Sequence, residues 1–262
     1  MFVHAEYLAD PTEEAILHFV DADPARTPTL AMFANPDYYL QTGPASCDPS
    51  GLGGCVSQTD SFAWDHGDYS AEVDTNYAAF VGPGVRHLGL DGPAANHGTT
   101  SSGANSGEVE VYQDHFPGPW VDETDIRPTI MYLTGLRDDY EHDGRVITQI
   151  LSHPNHALGA PAVTDLGECY KQLNSSVGDF GAYTLNADTN ALASASSGDQ
   201  EYLRTDQALH GLEVARDRLA GQIKGELEAA EFRDQSVGNA GALTFACNVL
   251  IGGARALASA TS

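Results

Sequence analysis

Apolar and polar positions follow two different rhythms along this chain, and the change falls near residue 160. Beyond it, apolar residues recur at helical spacing. Leu166, Cys169, Leu173, Val177, Phe180, Leu185 and Leu192 mark a run over 163–195, and Ser196-Ser197-Gly198-Asp199 breaks it. Leu209, Leu212, Leu219, Ile223, Leu227 and Ala230 mark a second over 200–232, and a third apolar segment spans about 240–258. Steps of three, four and seven place such residues on one helix side. Three helices with one apolar side each predict a small antiparallel bundle, with the stripes as its core.

Before residue 160 the apolar runs are short and Gly, Pro, Asn and Asp interrupt them. Residues 10–20 predict a helix: Asp10 as cap, Pro11 at the first position, Glu13 and Glu14 in the first turn, and Ile16, Leu17 and Val20 as its apolar side. Thr29 to Phe33 is a strand candidate closed by Asn35-Pro36-Asp37, and 41–61 reads as a long polar loop. Ala78-Ala79-Phe80-Val81 predicts a short buried strand stopped by Gly82-Pro83-Gly84. Residues 91–119 are Gly/Ser/Pro-rich and read as a surface excursion, where His97 is an exposed loop histidine. Thr124 to Thr129 opens a helix carrying Ile130, Met131 and Leu133, with Gly135 closing it. Asp143-Gly144-Arg145 is a turn leading into Val146 to Leu151. The chain therefore divides into 1–160, with strands, loops and short helices, and a helical 161–262.

Charge narrows the functions. With 37 acidic and 12 basic residues the net charge is −25, and most of the excess precedes residue 160. Such a surface repels phosphate backbones, which argues against nucleic acid as a partner. It suits solubility first, and cation binding second. No apolar run approaches the ~20 residues of a membrane span, and the N-terminus shows no signal-peptide pattern. Cys47 and Cys55 frame a Gly/Pro-rich loop whose spacing is unlike a zinc knuckle, so a loop-stapling disulfide is expected if the compartment is oxidising. Cys169 and Cys247 fall in helical patterns and read as small buried hydrophobes.

The candidate chemistry centres on Asp65-His66-Gly67. All but one of the 10 histidines precede residue 160, and this one sits in a polar loop just ahead of the 78–81 run. Its ordinary alternative is a hydrogen-bonded surface histidine. The order around it carries more: Asn35-Pro36-Asp37-Tyr38-Tyr39-Leu40, His66-Gly67, Phe80-Val81-Gly82-Pro83-Gly84-Val85, Thr124-Asp125-Ile126-Arg127-Pro128-Thr129, Leu133-Thr134-Gly135-Leu136 and Asp143-Gly144-Arg145-Val146. Over about residues 25–150 this series resembles the C-terminal portion of the alkaline phosphatase superfamily, especially its phosphodiesterase and phosphatase branches. There a His-Gly supplies the last metal ligand, a GPG-like turn ends a strand, a TDIAPT-like segment opens a helix, and a DGR lies near the end of the core.

The resemblance implies an α/β fold: an incomplete α/β/α core followed by the helical region. It implies a hydrolase of phosphate esters with two divalent metals, usually zinc. Of the family's ligands only the last His maps here, onto His66; Asp65 beside it is the other candidate residue of the metal site, and Asp65 and Asp68 are the nearest candidates for hydrogen-bond partner of the second ring nitrogen. Neutral imidazole suits zinc, and the glycine lets the loop approach closely. A second mapping takes Asp65-His66 as the family's Asp-His pair. Only 61 residues precede Phe62, and they hold no candidate nucleophile loop or upstream ligand pair. The chain thus reads as a C-terminal part whose missing N-terminal half carries the nucleophile and remaining ligands. Alone it is expected to be inactive and to bind metal weakly, and an extracellular or periplasmic location is favoured. The competing reading is a non-catalytic interaction module that docks a partner through its helical bundle.

Overall fold

The computed structural model describes residues 5–20, 23–35, 71–74, 76–88, 120–137, 139–194 and 199–261, with the isolated positions 38, 67 and 69. The chain opens with β1 (Ala5–Ala9), in which Tyr7 and Ala9 turn inward. Asp10 then caps α1 (Pro11–Ile16): its carboxylate accepts from the backbone N–H groups of Thr12 and Glu13, and Pro11 occupies the first position as expected. β2 (Ala31–Ala34) pairs antiparallel with β1, placing Tyr7 opposite Phe33 and Ala9 opposite Ala31. Tyr7, Phe33 and Tyr69 pack as a buried aromatic group with Leu17 and Leu185. Tyr69 also donates a hydrogen bond to the Ser176 carbonyl.

This two-stranded antiparallel pair is the only sheet among the described residues. The chain is mostly helical, so the α/β layer expected over 25–150 is represented by less than the sequence reading calls for. β2 falls close to its expected place, but the strand expected at 78–82 does not form. After α2 (Ala71–Asp74) the chain is irregular, with Tyr77 93% and Val81 96% exposed. Two alanines bring little apolar area to bury, and no described strand lies alongside to take up the backbone groups. Ordered pairing begins later, at a single bridge between Val85 and Leu151.

α3 (Ile126–Thr134) matches its expected helix. A capping box formed by Asp122 and Asp125 opens the preceding 3-10 turn, and Gly135 ends the helix in the left-handed region at φ 67°. The C-terminal region is indeed helical, but it contains four long helices where three are expected: α4 (Pro161–Asn174), α5 (Asp179–Ser194), α6 (Gln200–Arg233) and α7 (Ala240–Thr261). The 163–195 run divides at 175–178. There Gly178 lies so close to α4 that a Cβ would stand 2.6 Å from the Gln172 carbonyl oxygen, and the Gln172 side chain caps the Asp179 N–H at 3.0 Å.

The inner faces interlock through Leu166, Leu173, Phe180, Leu209, Ile223 and Leu227, all buried. Cys169 and Cys247 are not independent apolar positions: they form a disulfide joining α4 to α7, with Cα atoms 6.3 Å apart. Helical spacing places each on an inner face; that the two faces meet at one level is a tertiary fact. Among the described residues one helix, α7, is long and apolar enough to cross a membrane. It is packed against α4, α5 and α6 and tied to α4 by the disulfide, as a bundle helix is.

Candidate functional site

Asp65 and His66, the metal ligands expected from the sequence, lie outside the described residues, as do Cys47 and Cys55. Three other segments of the resemblance are brought together. Gly84 holds φ 89° and leaves room for the Leu133 side chain, which a Cβ there would approach to 3.0 Å. Next to it, Arg86 N–H donates to the Ile150 carbonyl (2.7 Å) and Ser152 N–H to the Gly84 carbonyl (2.8 Å). The 82–85 turn is thereby fixed against α3 and the end of the 146–151 run.

The 124–129 and 143–147 segments lock more closely. Gly144 meets the backbone of Thr124 so tightly that a Cβ would lie 2.0 Å from its carbonyl oxygen, so no other residue fits unless the backbone moves. The buried Asp125 carboxylate accepts the Arg145 N–H at 2.9 Å and the Asp122 N–H at 3.3 Å. Thr129 donates its hydroxyl to the Asp125 carbonyl (2.7 Å) and accepts from the Ile147 N–H (2.9 Å). Tyr170 of α4 donates to the Asp143 carbonyl, and Glu231 of α6 accepts the Val146 N–H. The turn is therefore pinned from α3, α4 and α6 together.

The Arg145 side chain runs across Gly167 of α4 and bonds to Glu168 at 2.7 Å, with weaker contacts to the Val146 carbonyl and Gln149. Lys171 completes the group: it pairs with Glu168 at 2.9 Å, donates to the Trp120 carbonyl at 2.6 Å, and lies over the Trp120 ring. Burial opposes ionisation of Glu168, but Arg145 and Lys171 outweigh it, and its pKa falls below the ordinary value. Burial raises Asp125 despite Arg145, lowers Lys171 despite Glu168, and pushes Glu231 up to about 7. A cavity of about 150 Å3 borders this latch, with His18, Asp122, Asp143 and Ser175 on its wall. The latch's carboxylates and cations are engaged with one another and with backbone groups. Its chemistry is that of a clamp on the 143–147 turn.

A second buried polar group has no counterpart in the sequence reading. Glu13 and Asp188 are fully buried and Asp10 nearly so. The Asp10 N–H donates to Asp188 at 2.8 Å, Tyr202 donates to the Asp10 carboxylate at 2.8 Å, and Thr184 donates to Glu13 at 3.0 Å. One carboxylate oxygen of Glu13 and one of Asp188 have no partner. Burial is the main cause that lifts Glu13 well above the usual range and Asp188 to about 7, with neighbouring carboxylates adding to both. In sequence Glu13 is one of two acidic residues in a helix first turn, and Asp188 one polar residue among many on α5. No local signal marks either.

Among the described residues no group of three or more His, Cys, Asp or Glu side chains is arranged to hold a metal ion. The chain matches no family model, no curated protein and no solved structure.

Proposed function

We propose that this chain is the C-terminal part of a metal-dependent phosphoesterase of the alkaline phosphatase type. In this reading His66 is the closing ligand of a two-metal zinc site in the whole enzyme, Asp65 supports it, and a preceding segment brings the nucleophile and the other ligands. The described residues supply no ligand set of their own, and by itself the chain is a scaffold without turnover, since covalent catalysis needs an activated nucleophile. The observation that carries the reading is the convergence of motif segments distant in sequence. The 82–85 turn sits against α3 and the 150–152 stretch, and Asp125 and Thr129 hold Arg145 and Ile147. Short motifs of one core are expected to pack against one another, and the contacts made by these three segments support the reading. The Cys169–Cys247 disulfide fits the extracellular or periplasmic setting in which it would persist.

The test joins this chain to the in-phase coding segment upstream of Met1 and measures hydrolysis of 4-nitrophenyl phosphate and its diester with and without zinc. The expected result is zinc-dependent turnover in the joined protein, none in the 262-residue chain, and loss of both zinc occupancy and turnover in His66→Ala. Unchanged occupancy and turnover in that variant would overturn the assignment.

A second reading has its own observation. The outer side of α7 leaves Phe245 72% and Val249 56% exposed, in a helix of mean hydropathy 1.4 of which 22% is buried. An apolar helix this open favours a non-catalytic role in which the bundle docks a partner. Measuring the mass of the chain in solution with Phe245→Ser and Val249→Ser separates the two, since only the docking role needs those side chains.

A further inference from the structure

Between Arg137 with residues 139–142 and the C-terminal half of α6 lies a cavity of about 380 Å3, within the size range of small-ligand sites. Its floor is bare helix. Gly221 and Gly225 are four residues apart on one side of α6, and a Cβ built on either meets nothing within 4 Å. Glycine is among the weakest residues for a helix interior, so two of them here create room at the expense of the helix. The walls are aromatic. Phe232 is held edge-on by Tyr132 at 6.5 Å and His142 at 6.2 Å, and the Arg127 guanidinium lies over the Tyr140 ring at 4.6 Å. His142 is oriented by donating its Nδ1–H to the Gly144 carbonyl, which can only accept.

The cavity is lined by three cations, Arg137, Lys224 and Arg233, and three carboxylates, Asp139, Glu141 and Glu228, a far more even balance than the chain's 12 basic and 37 acidic residues. Lys224 is occupied by Glu141 (2.9 Å) and Asp143 (3.4 Å). Arg137 and Arg233 line the same cavity, and neither forms a hydrogen bond or ion pair among the described residues. In a chain with 37 acidic and 12 basic residues, a guanidinium should find a carboxylate readily; here two at one cavity do not. The net charge of −25 repels anions from a distance, but at 0.15 M salt the screening length is about 8 Å, so the groups lining the cavity decide what enters. Guanidinium groups match phosphate and carboxylate in the two-pronged geometry that lysine lacks.

We propose that this cavity binds a small aromatic anion, with its ring over Gly221 and Gly225 against Tyr140 and Phe232, and its phosphate, phosphonate or carboxylate group held by Arg137 and Arg233. The proposal does not depend on the phosphoesterase reading, because none of these residues belongs to the expected metal site.

The probe is phenylphosphonate, titrated calorimetrically into the whole chain at 0.15 M NaCl with EDTA present, so that no metal contributes. Saturable one-site binding is expected, with benzylamine, the same ring bearing a cation, binding at least tenfold more weakly. Arg137→Ala and Arg233→Ala should each weaken phenylphosphonate about tenfold or more, as loss of a charge-assisted contact does. Gly225→Leu should abolish binding by filling the floor while leaving the melting temperature unchanged or higher, because leucine is the better helix former. His66→Ala should leave binding intact. No saturation by 10 mM, equal binding of benzylamine, or undiminished binding in folded Gly225→Leu or in the arginine variants would each overturn the proposal.

Discussion

The latch around Arg145 and the acidic group around Glu13 are both buried, both polar and both built where distant parts of the chain meet, yet they solve burial in opposite ways. In the latch, cations are interleaved with carboxylates: Arg145 and Lys171 share Glu168, and the Arg145 backbone serves Asp125. In the acidic group, Asp10, Glu13 and Asp188 face one another across α1 and α5. The nearby Arg216 directs its Nη1 to the Ile16 carbonyl. A buried charge that lacks a partner gives up its ionisation instead. In the latch Glu168 is therefore held in its charged form, whereas Glu13 and Asp188 are pushed toward the protonated form. Burial by itself does not say whether an acid is ionised; the count of cations at the site does.

The comparison is tested hardest by removing one cation. Arg145→Ala leaves Glu168 without its guanidinium partner, Asp125 without a nearby positive charge, and the 143–147 turn without its side-chain tie to α4. A loss of about 3–5 kcal/mol is expected in urea unfolding, the usual scale for breaking a buried pair from one side. Next, Thr129→Val keeps shape but deletes both hydrogen bonds that join Asp125 to Ile147, with an expected loss of about 1–3 kcal/mol in the same assay.

The pH dependence separates the two groups by sign. Glu13 and Asp188 have folded pKa values raised above their unfolded ones, so their contribution is full below about pH 4 and lost as pH rises through about 7 for Asp188. Each proton adds a slope approaching about 1.4 kcal/mol per pH unit in that window. Asp188→Asn should remove one proton's worth of slope while keeping an acceptor for the Asp10 N–H. Glu168, whose pKa is lowered, acts the other way: its contribution is present above about pH 4.5 and lost as pH falls through the depressed value. Glu231, which receives only the Val146 N–H and stands at about 7, belongs by this measure with the acidic group although it sits in the latch. The smallest effect is the most diagnostic: Glu13→Gln should change stability at pH 6 by less than about 0.5 kcal/mol, because a protonated acid and an amide are near equivalents there. A loss of several kcal/mol would mean that Glu13 is ionised and paired.

Local chemistry made part of this fold readable. Asp10 with Pro11, and Gly135, are helix ends written in one or two adjacent residues, and they stand where the sequence puts them. The stripe through Leu166, Leu173, Leu209, Ile223 and Leu227 is core because helical periodicity survives any tertiary arrangement. What sequence could not supply were encounters: the meeting of Cys169 with Cys247, the approach of α4 to Gly178 that divides the first helical run, and the covering of Glu13 by α5. The 78–81 run misleads for a related reason, since a strand needs a neighbour and four apolar letters do not reveal one. As for the candidate site, Asp125, Gly144 and Arg145 were visible as motif letters, but their mutual contacts were not, and Asp65 and His66 lie outside what the structure describes.

The disulfide has a topological consequence. Cys169 and Cys247 are 78 residues apart, and the bond between them turns that stretch into a closed covalent ring. A protease that cuts once in the 234–239 connection opens the ring without releasing anything: the α7 piece stays tethered to α4 and the molecule keeps its mass on a non-reducing gel. Only reduction should separate the two pieces. Shedding of the last helix by a single nick in that connection is thus prevented by connectivity rather than by packing strength, while the residues beyond Cys247 lie outside the ring and depend on packing alone.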